Sequence, residues 1–298
     1  MKRALKWIGI IVGGMVGLLV IVVVVLGIVG GNRLDNAPDV PVAVVAAATD
    51  EAAVERGNYL ARVSSCTECH GEDLSGEVFI DEAPIGYVPA PNLTAGAGGI
   101  GANYTDADWA QAIRHGVGGN GRSLVTMPSN HYAHYGDDDF AALIAYLKTV
   151  PPVDNDLGER NIQFPGTIIF GVLAYNGVAA VANTDHAAVG GNAPAVSASA
   201  EYGEYLVNIA SCNSCHGENL AGATDPDGPQ GSNLTMGGDL QNWSEDNFFT
   251  ALRTGVTPDG NQLDSEMPWQ NYAGMSDTEL EALWAQLNSV DALPTNGG

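Results

Sequence analysis

Basic residues are scarce in this sequence. The 298 residues include 11 Lys and Arg against 35 Asp and Glu. All 35 acidic residues but only seven basic ones follow Arg33, so that part carries 7 − 35 = −28. This charge excludes nucleic acid and anionic lipid as binding partners, because both are polyanions. It favours a basic partner protein or a saline environment.

Cysteine is also scarce, and its four copies occupy two short segments. Residues 64–71 read SSCTECHG and residues 210–217 read ASCNSCHG. Each segment has two cysteines three positions apart and a histidine directly after the second. The residues are Cys66, Cys69 and His70 in the first copy, and Cys212, Cys215 and His216 in the second.

Four chemistries use such a cysteine pair. A redox dithiol needs no adjacent histidine and usually lies in a βαβ unit, which the sequence lacks. The pairs of a zinc ribbon lie closer in sequence than the 146 positions (212 − 66) seen here. A disulfide leaves the histidines unexplained. In c-type haem the thiols add to the vinyl groups and the histidine ligates the iron, so the sequence predicts two covalently bound haem c groups.

A second axial ligand is available in each copy. Met127 and Met267 are each followed by proline, 57 residues after His70 (127 − 70) and 51 after His216 (267 − 216). A single methionine is often core filler. The repeated position favours axial ligation, which stabilises ferrous iron and closes it to small molecules.

The chain is a tandem duplication. Residues 55–76 align with residues 201–222 without a gap, and NLT recurs at 92–94 and 233–235. Two further matches are AIRHGVGGNG with ALRTGVTPDG and DDDFAALIAYLKTV with MSDTELEALWAQLNSV. We predict one domain over residues 51–153 and a second over residues 201–292.

Within each copy the pattern predicts helices joined by long loops. Apolar spacing indicates a helix over residues 52–64. TDADWAQAIRHG and SEDNFFTALRTG each begin with a capping residue and end at glycine, Gly116 or Gly255. A last helix follows an acidic start in both copies. No segment alternates as a strand, so the expected fold is mainly α.

These features resemble class I cytochrome c domains. The tandem layout is similar to membrane-anchored dihaem cytochromes c, including the cytochrome subunits of bacterial membrane dehydrogenases, over roughly residues 50–292. The resemblance implies His70 and Met127 as ligands of one iron, and His216 and Met267 of the other. Such domains often orient the histidine with a proline carbonyl. Pro91 precedes Asn92 in the first copy, but Ser232 precedes Asn233 in the second.

The N-terminus predicts a membrane anchor. MKRALK carries three positive charges, and residues 7–30 then run 24 positions without a charge. That length spans a bilayer, and a secretory signal has a shorter apolar core with a cleavage site close behind. We expect residues 1–33 to stay as a single transmembrane helix, with Lys2, Arg3 and Lys6 cytoplasmic and the haem domains on the periplasmic side.

Residues 164–182 are also apolar. One extra crossing would leave Cys212 and Cys215 in the cytoplasm, away from haem attachment. Pro165 is also unfavourable in a lipid-facing helix. We therefore interpret residues 154–200 as an interdomain segment and linker that packs on the haem domains or on a partner. Residues 34–50 are predicted as an extended tether.

Other side chains have two readings each. Arg114 and Arg253 are the basic residues at equivalent places in both copies. They either pair with a haem propionate or favour the C-terminal end of a helix. His131 and His134 could bind metal or replace Met127, but are predicted as surface residues near the haem.

The expected function is electron transfer. The first hypothesis is a membrane-tethered carrier between a donor complex or dehydrogenase and an acceptor, and the second is a fixed cytochrome subunit of an oxidoreductase complex. A dihaem enzyme such as a peroxidase needs an iron with a free coordination position. Two methionine ligands would fill that position on both irons. We expect no catalytic residues.

Overall fold

The computed structural model describes residues 2–223 and 230–296 and is mainly helical. The long helix α1 is Lys2–Asp35. The first domain contains α2 (Glu51–Val63), α3 (Cys66–His70), α4 (Asp106–His115), α5 (Ser129–Tyr132) and α6 (Asp137–Thr149). The second contains α9 (Ala200–Ile209), α10 (Cys212–His216), α11 (Glu245–Thr254), α12 (Trp269–Tyr272) and α13 (Asp277–Ser289).

Each domain is built on one close helix crossing. In the first domain α2 packs on α6, and in the second α9 packs on α13. Gly57 and Gly203 lie at these crossings, where a Cβ would stand 2.0 Å from the backbone oxygen of Ala142 or Ala282. Only glycine therefore allows the helices to approach this closely.

We expect Gly203→Ala to destabilise the second domain by about 1–3 kcal/mol, because its Cβ forces α9 and α13 apart. Gly274→Ala is the matched control, since a Cβ there meets nothing within 4 Å. Denaturant unfolding of the holoprotein, followed by far-ultraviolet circular dichroism, measures both variants. Equal midpoints for the two variants would contradict the role of this crossing.

The helix ends predicted from the sequence are confirmed. Thr105 and Asp108 form a capping box at the start of α4, and Ser244 and Asn247 form one at the start of α11. Both helices end at the expected glycines, which have φ values of 70° and 71°. These termini fix where the following loops leave the helices.

The mainly α prediction is confirmed, although the described residues also include three short strands that the sequence had not indicated. The strands β1 (Glu77–Glu82), β2 (Gly86–Ala90) and β3 (Asn161–Ile162) make a small antiparallel sheet in that order. Residues of β1 are exposed on both faces except Ile80, which is half-buried. A strand with no buried face has no reason to alternate apolar and polar residues, and β3 has only two residues.

Residues 36–49, which fall in the predicted tether, have no regular secondary structure and lie along the first domain. The amide of Ala37 donates to the Gly121 carbonyl at 2.9 Å, and that of Ala48 donates to the Ala141 carbonyl at 3.1 Å. Leu34, at the end of α1, is 2% exposed. Residues 36–49 are therefore a strap that joins α1 to the first domain by hydrogen bonds.

The apolar segment 164–182 folds into short helical turns. They are α7 (Gly166–Ile168), a π-helix (Ile169–Leu173), α8 (Tyr175–Val178) and a 3-10 turn (Ala180–Ala182). The amide of Thr126 donates to the Val178 carbonyl at 2.6 Å, so the segment packs on the first domain. It also packs on α1.

Candidate functional site

The first Cys-x-x-Cys-His motif forms its own short helix, α3. It begins after Ser65, which is left-handed with φ 55°, and ends at Gly71 with φ 78°. His70 is buried, and its Nδ1 lies 2.8 Å from the Pro91 carbonyl oxygen. A carbonyl only accepts, so Nδ1 carries the proton and Nε2 keeps a free lone pair. This is the tautomer that an iron ligand needs.

The second motif repeats this geometry. Ser211 has φ 55° and Gly217 has φ 79°. His216 is buried, and its Nδ1 lies 2.7 Å from the Ser232 carbonyl oxygen. The change from proline to serine therefore leaves the orienting group in place, because the backbone oxygen and not the side chain makes the contact.

The asparagine that follows each of these carbonyls in the chain bonds its loop to the segment after the last helix of the domain. The sequence analysis had not assigned either asparagine. Asn92 donates from Nδ2 to the Val153 carbonyl at 2.8 Å and accepts from the Thr94 amide at 2.8 Å. Asn233 makes the equivalent bonds, to the Leu293 carbonyl at 2.9 Å and from the Thr235 amide at 2.8 Å. The repeated NLT was the signal in the sequence.

The four cysteines do not pair as disulfides. Desolvation by the surrounding protein raises the pKa of Cys66 and that of Cys212 to about 12. A redox dithiol depends on a lowered thiol pKa. Within the described residues, no three His, Cys, Asp or Glu side chains converge on a common point. Neither a redox pair nor a zinc cluster fits this arrangement.

The methionine loops also repeat. Met127 and Met267 are partly buried and pack against the same core as Cys66 and Cys212. The prolines that follow them have nearly equal backbone angles, with φ −82° and ψ 52° in the first copy and φ −80° and ψ 54° in the second. The two loops thus offer a thioether from the same place in each domain.

In each domain one tyrosine joins the methionine loop to the cysteine loop. The sequence analysis identified neither of them. The Tyr132 hydroxyl donates to the Ser64 carbonyl at 2.6 Å, and the Tyr272 hydroxyl donates to the Ala210 carbonyl at 3.3 Å. Both tyrosines are nearly buried. The recurring NHY and QNY in the sequence were the available signal.

The two equivalent arginines bind the start of the last helix. Arg114 is 1% exposed, and its Nη1 lies 2.9 Å from Asp137 Oδ1. Arg253 pairs with Asp277 but is more exposed. The Nε of Arg114 and the Nε1 of Trp109 are buried donors without a partner in the described part of the chain. A haem carboxylate would satisfy such donors, so the first copy fits the propionate reading better than the second.

His131 is not the surface residue that the sequence suggested. It lies in α5 and is only 6% exposed, while His134 is exposed. Burial lowers the pKa of His131 to about 4.

The two motif loops lie side by side. The Ser64 hydroxyl donates to the Ile209 carbonyl at 2.7 Å, and these residues precede Cys66 and Cys212 by two and three positions. Asn271 of the second domain donates to Glu68 Oε1 of the first at 2.9 Å. The chain segments that carry both cysteine pairs therefore share one domain interface.

An ion network holds this interface. Arg56 of α2 makes two bonds to Asp139, at 2.9 Å and 3.0 Å, and one to Glu279 at 3.4 Å. The Tyr205 hydroxyl of the second domain donates to Asp139 at 2.7 Å. Tyr202 donates to Glu279 at 3.4 Å. One arginine thus joins the first turns of α6 and α13.

Comparisons with known proteins agree with this geometry. The family described as "Cytochrome c" matches residues 54–151, and the family described as "Cytochrome C oxidase, cbb3-type, subunit III" matches residues 198–286.

The individual relatives are also named as cytochromes or cytochrome subunits. The cytochrome c subunit of alcohol dehydrogenase (quinone) from Gluconobacter oxydans (strain 621H) is 30% identical over 82% of this chain and 56% of its own length. The fructose dehydrogenase cytochrome subunit of Gluconobacter japonicus is 30% identical over 82% and 54%. A "Diheme cytochrome c-type" protein of Cereibacter sphaeroides is 28% identical over 80% and 86%.

The chain spans about half the length of the two dehydrogenase subunits. Each half of the described structure has the same motif helix, the same carbonyl-bound histidine and the same methionine loop, and each half matches a cytochrome c family. The chain belongs to the dihaem c-type cytochromes, with two tandem cytochrome c domains and two covalently bound haem c groups.

Proposed function

We propose that this chain is the electron-transfer subunit of a membrane oxidoreductase complex and is not itself the catalyst. The shared interface between the two motif loops, marked by the bond from Ser64 to Ile209, is the observation that supports this most strongly. Haem c supplies a reversible one-electron couple. Two such groups attached on either side of one interface suit transfer through the chain better than substrate chemistry.

In this proposal each domain holds its haem with four side chains. Cys66 and Cys69 would hold the haem of the first domain covalently, and His70 and Met127 would bind its iron. In the second domain these roles belong to Cys212, Cys215, His216 and Met267. The carbonyls of Pro91 and Ser232 fix the orientation of the two histidine rings. Arg114 is a propionate partner, whereas Arg253 serves mainly to hold Asp277.

A fixed subunit is favoured over a free carrier. The relatives named above include cytochrome subunits of an alcohol dehydrogenase (quinone) and a fructose dehydrogenase. Because this chain covers only about half of them, its own donor is proposed at the level of a dehydrogenase or quinol-oxidising partner. The peroxidase reading finds no support, since both copies retain the methionine loop.

Membrane anchoring belongs to the same proposal. The helix α1 is long and apolar enough to cross a bilayer, with a mean hydropathy of 3.1 over its best 18 residues. Lys2, Arg3 and Lys6 place its N-terminus in the cytoplasm by the positive-inside rule. The haem domains then lie on the periplasmic side, where c-type haem is attached.

Tagged purification from the native membrane in mild detergent tests the function. We expect a dehydrogenase subunit to co-elute in stoichiometric amount, and its substrate to reduce both haems within the isolated complex. The matched control is the complex with the co-eluting subunit removed, which should no longer respond to substrate. A chain that elutes alone from native membranes would instead support the free carrier.

A steep salt dependence is expected if the electron acceptor is a basic mobile protein. The −28 charge after Arg33 attracts such a partner over a distance that shrinks to a Debye length of about 8 Å at physiological salt. The second-order rate of acceptor reduction should fall as ionic strength rises, since steering acts on association. An acidic acceptor of similar potential is the control and should speed up. Flat rates for both would rule out steering.

A further inference from the structure

Residues 164–173 form an apolar surface beside the membrane helix. We propose that this segment is a second membrane contact, which lies in the leaflet nearest the haem domains. The occupant of this surface is the acyl region of the bilayer. The inference rests on the proposed anchoring by α1 and adds a defined docking of the first domain onto the membrane.

The segment packs tightly on the C-terminal part of α1. A Cβ at Gly30 would stand 1.9 Å from the Thr167 carbonyl oxygen, and one at Gly171 would stand 2.3 Å from the Gly30 carbonyl oxygen. Phe164 lies near Gly27. The residues of this half of α1 that are not exposed form one helical stripe: Val23, Leu26, Gly27, Gly30, Gly31 and Leu34. The segment therefore covers one face of α1 between Val23 and Leu34.

The contact with α1 determines how deep residues 164–173 lie in the bilayer. At a rise of about 1.5 Å per residue, the uncharged run 7–30 is about 36 Å long, slightly more than the bilayer's hydrocarbon core of about 30 Å. The stripe from Val23 to Gly30 covers the last 10 Å or so of that run. Interfacial helices bury their apolar face to about 5–10 Å. Residues packed on this stripe lie at the same depth.

The exposed side of the segment is chemically suited to acyl chains. Phe164 is 61% exposed and Leu173 is 76% exposed, although both are large apolar side chains. No charged residue occurs between Arg160 and Asp185. The contact is thus apolar, which agrees with a net acidic protein that has no attraction to anionic headgroups.

Backbone amides of the segment bond to carbonyls within it or next to it, which suits a lipid environment. The Thr167 amide donates to the Gln163 carbonyl at 3.0 Å, and the Ile168 amide donates to the Pro165 carbonyl at 2.9 Å. The Ala174 amide closes the π-helical turn on the Ile169 carbonyl at 2.8 Å. Helical turns of this kind expose side chains without exposing free amides.

The first domain is fixed to α1 at the level of the membrane surface. Arg160 donates to the Leu34 carbonyl at 2.7 Å, and the Ser123 hydroxyl donates to the Arg33 carbonyl at 2.8 Å. The Ser123 amide also donates to Leu34 at 3.1 Å. These bonds cap the last turn of α1 with groups of the domain. The domain is therefore held close to the end of α1 by several hydrogen bonds.

Photocrosslinking of the unaltered dihaem chain tests the proposal. The full chain is placed in phospholipid nanodiscs whose acyl chains carry a diazirine, irradiated, and digested with trypsin and Asp-N. Peptide 161–184 contains the segment, peptide 7–33 reports on α1, and peptide 185–224 contains the exposed Val196 as the control. We expect adducts on the first two peptides at about tenfold the level of the third. The diazirine lies in the hydrocarbon region of the bilayer and labels only residues that enter this region.

The outcomes separate this inference from the anchor itself. Adducts on peptide 7–33 without adducts on peptide 161–184 would overturn the second contact and leave the anchor standing. Absence of adducts on both would overturn the anchor. Adducts on peptide 161–184 in nanodiscs, but not in photolabelled native membranes, would show that a partner subunit and not lipid covers the segment. Adducts on both peptides, in nanodiscs and in native membranes alike, would support the proposal.

Discussion

Met127→Ala and Met267→Ala are each expected to remove about half of the near-infrared band of ferric haem bound by methionine, because each domain supplies one thioether ligand. Loss of the soft ligand should also lower the reduction potential of that site alone, since thioether favours the ferrous state. The reduced variants should bind one carbon monoxide per chain. Absorbance spectra and redox titration of the intact dihaem chain measure all three effects.

Met236→Leu is the matched control for these variants. Met236 also belongs to the second domain and packs partly buried against the core, but it lies outside the Met-Pro loops. Its replacement should leave the band and the potentials unchanged. If Met267→Ala kept the full band, Met267 would not be the ligand of the second domain. The same test applies to Met127 in the first domain.

The sequence was most informative where the role of a residue depends only on its close neighbours in the chain. The cysteine and histidine spacing, the helix caps at Thr105 and Ser244 and the glycine stops can each be read from a few neighbouring positions, and the structure repeats them in both domains. The carbonyl that binds His216 was less apparent, because a backbone oxygen has no sequence signature. The repeat nevertheless located the loop.

Long-range contacts were not predictable in the same way. The strand β1 lacks a buried face, so it gave no alternation. The strap over residues 36–49 is composed of apolar and small residues that suit a free linker equally well, and its attachment depends on backbone bonds to Gly121 and Ala141. Arg56 gave no signal either, because its partners Asp139 and Glu279 lie 83 and 223 positions away.

Arg56→Met is expected to destabilise the folded chain by about 1–3 kcal/mol, less than the loss of a fully buried ion-pair partner because the Arg56 side chain is 28% exposed. Glu279 is 5% exposed, and Arg56 provides the cation beside it and beside Asp139. The methionine keeps the apolar part of the side chain but leaves both carboxylates without their counter-ion. Denaturant unfolding of the holoprotein measures the loss.

Arg62→Met is the matched control, because Arg62 lies on the same helix and is exposed. It changes the net charge equally and should cost little. Equal stability of the Arg56→Met and Arg62→Met chains would contradict the role of the network.

The same substitution carries a functional expectation. Arg56 joins α2 to the first turns of α6 and α13, and α2 leads directly to Ser64, whose hydroxyl binds Ile209 ahead of the second motif. Weakening the network should let the two motif loops separate, so that electron exchange between the two sites slows in Arg56→Met. It should stay unchanged in Arg62→Met. Flash photolysis of the half-reduced chain measures this rate. A slowed rate with both Met-ligand bands intact would assign the effect to the interface and not to the iron ligands.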